Sequence, residues 1–184
     1  LTGRVAPDVA TLASLHCKRG LAQETLGRFE QARTNYETAL QIGQAAGERR
    51  VEWRALLDLA RLWGSRDYAE SRLLIDQALD LAHDMDDPAV YAESLNWAGN
   101  WHLNADDLPL TIEYHRQALA VVERLGNPRE TASTLDLLGL ASMIRGEFAA
   151  SVDHYDRAIA LWRRMEDQTG LAASLTGRGL AHCS

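Results

Sequence analysis

A chain of 184 residues with 46% hydrophobic and 24% charged side chains has the composition of a folded globular protein rather than a disordered one. Its net charge is −7, its one lysine is Lys18, and its arginines are spread along the sequence. That argues against a nucleic-acid surface, which needs clustered cations to displace counterions from phosphates. No apolar run approaches the roughly 18 residues of a membrane-spanning helix.

In chain order, residues 1–8 read as a ragged leading segment, with Pro7-Asp8 as a helix start. A first helix is expected over 9–26, where Val9, Leu12, Ala13 and Leu15 begin an apolar stripe. Gly27-Arg28 turns the chain, and a second helix runs 29–46 with Ala32, Tyr36, Ala39 and Leu40 at helical spacing. Gly47 suits the left-handed exit. The third helix, 51–63, stops at Gly64-Ser65, and Asp67 caps the fourth, which runs 68–84. The acidic run from Asp84 to Asp87 lacks the ligand spacing of a calcium loop and reads as capping carboxylates. Helices over 89–104, from 108 to near 126, 129–145 and 148–165 follow, with Asp106-Asp107 capping and Pro109 in a first turn. A lone ninth helix over 169–182 is expected to lay Leu171, Leu175 and Leu180 on the preceding pair.

The helices recur. Leu135, Gly139, Leu140 and Ala141 become Leu175, Gly179, Leu180 and Ala181 forty residues on, and Leu95 and Gly99 forty residues back. Phe148, Ala158 and Ile159 correspond to Leu108, Ala118 and Leu119, to Tyr68, Ala78 and Leu79, and at a step of 39 to Phe29, Ala39 and Leu40. A fixed period of roughly 20–50 residues marks a stacked array. The expected array is 9–48, 49–88, 89–128 and 129–168, with 169–184 as the first helix of a fifth repeat. Within each repeat the alanine allows close helix approach, and Phe29, Tyr68, Leu108 and Phe148 are expected to plug the gap between paired helices. Gly20, Gly99, Gly139 and Gly179 fall inside helices, where glycine costs roughly 0.5–1 kcal/mol, so close crossings are expected there.

The positions Gly20, Gly27, Phe29, Ala32, Tyr36 and Ala39 resemble the tetratricopeptide repeat, as do Gly139, Gly146, Phe148, Ser151, Tyr155 and Ala158. The resemblance implies an all-α, right-handed α-solenoid of antiparallel helix pairs, about nine helices in all. The 40-residue step is similar to that of arrays in large bacterial signalling regulators, which join an NTPase core and a DNA-binding domain to a sensor array. It implies a non-catalytic interaction or sensor module of such a regulator, acting in the cytoplasm on a protein or peptide ligand or on neighbouring domains of its own chain. The chain begins without methionine and stops inside a repeat, so a piece of a longer protein is expected.

No phosphate loop, dinucleotide fingerprint, nucleophile elbow or zincin motif is present, and the six histidines are scattered. An enzyme, a metal site and a cofactor are therefore not expected. Cys17 and Cys183 fall at opposite ends of the array, beyond disulfide reach, and two separated thiols fit a reducing compartment.

In the resembling family the first helix of each pair lines a concave binding face. That places Ser14, Cys17, Leu21 and Glu24 on it, then Trp53, Leu56, Ala60 and Trp63. Asn96, Asn100 and Asn104 follow at one-turn spacing, then Asp136, Leu140 and Met143. Tryptophans anchor interfaces by burying a large area with few rotatable bonds, and asparagine can both donate to and accept from a peptide backbone. The partner site is expected at Trp53, Leu56, Trp63, Asn96, Asn100, Asn104, Asp136, Leu140 and Met143. Two alternatives are self-association through the open fifth repeat, giving a homo-oligomer, and a small-molecule pocket without a recognisable motif.

Overall fold

The computed structural model describes residues 8–182, so Cys183 and the segment before Asp8 lie outside the described residues. Among them are nine α-helices and no strand: α1 (Val9–Thr25), α2 (Phe29–Ala46), α3 (Arg49–Trp63), α4 (Tyr68–His83), α5 (Pro88–Asn104), α6 (Leu108–Leu125), α7 (Pro128–Ile144), α8 (Phe148–Arg164) and α9 (Gln168–His182). Each bound falls within two residues of its sequence expectation.

Local chemistry explains where the helices begin. Carboxylate or amide side chains of Asp8, Asp67, Asp87, Asp107 and Asn127 accept from free amides of the first turn. Asp87 accepts from Ala89 and Val90 at 3.1 and 3.3 Å, the capping role expected of the acidic run. Pro88 and Pro128 follow their caps, where a missing donor costs nothing.

Where one turn recurs, the backbone enters the left-handed region. Gly47, Asp86, Gly126 and Glu166 occupy it at φ of 68°, 52°, 64° and 55°. Glutamate has no side-chain reason to be there, and an L-residue pays roughly 1–2 kcal/mol for the crowding of its Cβ. Glu166→Gly is expected to stabilise the chain by about 0.5–1 kcal/mol after the entropy of glycine is deducted. Chemical denaturation of the two proteins checks this, and a less stable variant would contradict it.

The chain forms two compact units, Leu1–Asp86 and Asp87–Ser184. In the first, α1 to α4 pack in succession, and α1 also touches α3. Ala13, Ala39 and Ala55 form a core of small side chains there, flanked by Cys17, Leu40, Ile42 and Val51. In the second, α5 to α9 pack in succession, and α7 also meets α9. Its core includes Ile112, Val122, Leu135, Leu138, Ala158 and Trp162. Ala39, Ala78, Ala118 and Ala158 are all completely buried, as their register requires.

Three expectations are corrected. Tyr68 and Phe148 are 43% and 36% exposed and do not plug their helix pairs. They open their helices at the rim of the turn, and the side chain two turns on points inward instead. Tyr36, Ile75, His115 and Tyr155 are those buried residues. Gly179 has nothing within 4 Å of the place a Cβ would take, so no close crossing accounts for it. On α9, Leu175 and Leu180 are 41% and 56% exposed. The face turned to α8 is the small one: Gly170 lies under the Trp162 ring and Gly177 under Tyr155, with Ser174 and Ala181 buried in the same stripe. Leu171 alone of the three leucines packs against the core.

Candidate functional site

In the first unit, α1 and α3 enclose a groove of about 820 Å³. Ala10, Ala13 and Cys17 of α1 and Val51 and Trp53 of α3 supply its apolar lining. Trp53 is 5% exposed, so it forms floor rather than a projecting anchor. Small residues on α1 leave the space open, because Ala10 and Ser14 offer no bulk to fill it.

Asp58 is buried at the floor. It lies 3.7 Å from Arg54 and 3.5 Å from Arg61, so its charge is matched by two guanidinium groups. Arg61 also reaches Glu24 at 2.5 Å and donates to the Tyr36 hydroxyl at 3.0 Å, and that hydroxyl donates to Glu24 at 2.9 Å. Burial and the Asp58 charge push the Cys17 thiol up to about 11, so it is a neutral lining group at physiological pH. Lys18, Arg50 and Arg54 rise around the opening with exposed side chains.

The remaining expected residues of this unit are engaged in packing. Leu56 is 3% exposed, and Ala60 is buried beside it. Trp63 is half-buried and meets Phe29 edge-on, with ring centroids 5.0 Å apart, while Arg66 stacks on the Phe29 ring at 3.9 Å. The spacing of 3, 4 and 3 suggests a binding stripe, but α3 packs against both α2 and α4, and Leu56 and Ala60 of the stripe are buried.

In the second unit the asparagine stripe is split. Asn96 donates to Thr134 Oγ1 at 2.8 Å and pairs with His115 Nδ1 at 3.0 Å. It therefore ties α5 to both α6 and α7. Asn100 is half-buried and Asn104 exposed, one and two turns further along α5. Asp136 repeats the Asn96 arrangement forty residues on. It accepts from Ser174 Oγ at 2.5 Å and from Trp162 Nε1 at 3.0 Å, tying α7 to α8 and α9. Burial pushes its carboxyl up, opposed by those two hydrogen bonds. Leu140 and Met143 are half-buried on α7.

His115 is completely buried, and burial holds its imidazole down at about 4. With the Asn96 amide nitrogen committed to Thr134, its oxygen faces His115 Nδ1, which is therefore the protonated ring nitrogen.

The family resemblance puts Ser14, Cys17, Leu21 and Trp53 on one face, but the sequence alone does not show them enclosing one groove, because α1 and α3 are about 40 residues apart in the chain. One signal of it is present: Arg50, Arg54, Asp58 and Arg61 fall at intervals of 4, 4 and 3, one charged stripe along α3.

No described helix is long and apolar enough to cross a membrane. A sequence model of the tetratricopeptide repeat matches residues 131–166, and no curated protein matches the chain. Solved structures with a similar fold include BtubC (BKLC) from P. vanneervenii, at 21% identity and a TM-score of 0.73, over 90% of this chain and 68% of that one. A Rap protein complexed with Competence and Sporulation Factor is similar at 16% identity and a TM-score of 0.82, over 92% of this chain and 48% of that one. A signal transduction ATPase with numerous domains and a tetratricopeptide repeat sensor, from Pyrococcus horikoshii, is similar at 11% identity and a TM-score of 0.79. The match takes in 95% of this chain and 28% of that protein. In fold the chain is an all-α helical-repeat array of the tetratricopeptide type, with residues 131–166 carrying that family's sequence pattern.

Proposed function

We propose that this chain is a non-catalytic interaction or sensor module that holds a protein or peptide segment on the first helices of its pairs. The α1–α3 groove carries the reading. Its volume of about 820 Å³ is bounded by an apolar floor and exposed cations. Trp53 stays in the proposed site as floor, and Asn100, Asn104, Leu140 and Met143 stay as groups the second unit could offer. Leu56, Trp63, Asn96 and Asp136 act in packing. The likeness to the ATPase with a repeat sensor and to the Rap protein with its bound factor supports placement in a larger signalling regulator.

The test is a displayed random-peptide library selected on the whole chain, with the winners then measured on Ser14→Trp. Ser14 is exposed and lines the groove, so the indole fills the space without entering the core. Selected peptides are expected to lose ~10-fold or more in affinity for the variant, about the worth of one interface anchor, with unchanged helical circular dichroism. Peptides that bind wild type and variant equally would place the site elsewhere.

A further inference from the structure

We propose that the α1–α3 groove takes one acidic amphipathic helix of a protein partner. This rests on reading the groove as the binding face and adds the charge and conformation of what binds. Charge is the first argument. The lining holds four cations, Lys18, Arg50, Arg54 and Arg61, against one carboxylate, Asp58, a net of +3 on a chain whose net charge is −7. Including Glu24, which binds Arg61, leaves +2. Arg61 is tied to Glu24 and Asp58 and Arg54 to Asp58, and Lys18, Arg50 and Arg54 are exposed at the rim. Their aliphatic stems extend the apolar walls and their positive charge lies along the edges, Arg54 beside Asp58, which suits a ligand with apolar residues at its centre and carboxylates along its edges.

The conformation follows from the floor. An extended strand presents an N–H or C=O at every residue, and each needs a partner when water is removed. Ala10, Ala13 and Val51 supply none from their side chains, the buried Trp53 has a single indole N–H, the Cys17 thiol faces Asp58, Asp58 is committed to two arginines, and Ser14 offers one hydroxyl, too few for the alternating N–H and C=O groups of a strand. A helix satisfies its own backbone and asks only for an apolar surface. The groove is also the right length. Ala10 to Leu21 and Arg50 to Arg61 both bound it, and each stretch spans about 16 Å, three helical turns at 1.5 Å per residue. Small side chains along α1 allow a third helix to approach at the usual 8–10 Å or so.

The whole chain is titrated, by fluorescence anisotropy, with a designed helical peptide of about 14 residues, ~20 Å long. Leucine and alanine form one face and glutamates flank it. Three comparison peptides carry glutamine in place of glutamate, lysine in place of glutamate, or a central proline. At low salt the acidic helix is expected to bind ~10-fold tighter than the glutamine peptide, the lysine and proline peptides to bind ~10-fold or more weaker than the acidic one, and 0.5 M salt to remove most of the acidic advantage. Non-specific electrostatics cannot mimic this, since the chain's overall charge repels the acidic peptide. Lys18→Glu and Arg54→Glu are each expected to weaken it ~3-fold or more while favouring the lysine peptide. Arg54 pairs with Asp58, so circular dichroism accompanies its reversal, whereas exposed Lys18 gives the cleaner variant. Equal binding of the glutamate and glutamine peptides, equal binding of the proline peptide, or no effect of Lys18→Glu overturns the proposal. Library winners that are blocked by Ser14→Trp yet are neutral, basic or extended sink the acidic helix and leave the groove reading standing. Winners indifferent to Ser14→Trp sink both.

Discussion

Gly99→Ala is expected to destabilise the chain by about 1–3 kcal/mol. Helix propensity alone predicts the opposite sign, a gain of roughly 0.5–1 kcal/mol. A Cβ at Gly99 would lie 2.6 Å from Cε1 and 2.7 Å from Nδ1 of His115. That ring cannot swing away cheaply, because it is completely buried and held by Asn96. The same pairing recurs sixteen residues apart elsewhere: a Cβ at Gly20 would lie 2.5 Å from Tyr36, and one at Gly139 2.9 Å from Tyr155. The second repeat solves the packing differently, with Leu59 and Ile75 at the corresponding positions, both 3% exposed. Combining Gly99→Ala with His115→Ile should therefore recover stability beyond the sum of the single changes, a positive coupling of about 0.5 kcal/mol or more. Thermal midpoints of the four proteins check this, with Gly99→Ala expected to fall by ~3–10 °C. A higher midpoint for Gly99→Ala would show that the ring yields and that propensity decides.

That pairing shows which parts of the fold the sequence carries openly. Helix starts are legible because Asp67 and Asp107 act on amides two or three residues away, and local chemistry is written in consecutive letters. The buried alanines are legible because Ala39, Ala78, Ala118 and Ala158 repeat one requirement at one spacing. Asn96 reads as a binding group because its partner Thr134 lies 38 residues on, in another helix. Nothing near Asn96 distinguishes an amide that ties helices together from one that faces a ligand. Trp53 and Leu56 pose a similar difficulty, since an apolar stripe reads alike whether a partner or the next helix covers it. The candidate groove needs both helices at once: small residues on α1 make the space, and arginines on α3 give it charge.

Acidification from about pH 6.5 to about 4 is expected to cost the fold roughly 3 kcal/mol through His115 alone, taking about 1.4 kcal/mol for each unit between its folded and unfolded pKa. The folded value is about 4, lowered from 6.5 by burial. Between these pH values the unfolded chain binds a proton that the folded chain refuses, so stability falls as pH falls. Above about 6.5 both states carry neutral imidazole and the contribution is flat. The geometry gives the reason. Nδ1 faces the Asn96 oxygen, and Nε2 is buried with no hydrogen-bond partner, so a second proton would place an unsatisfied charge inside the helix packing. Other groups titrate over part of the same range: burial and Arg157 lower His154, and burial raises Asp136, with the opposite effect on acid stability. His115→Tyr isolates the term. Tyrosine already occupies this register over glycine at Tyr36 and Tyr155, and it stays neutral throughout the acid range. Denaturant titrations of both proteins from pH 7.5 to 4 should show a stability difference that is constant above about 6.5 and moves in favour of the tyrosine variant below it. Parallel acid profiles for the two proteins would mean that His115 does not titrate as a buried imidazole, and the acid sensitivity would have to come from groups nearer the surface.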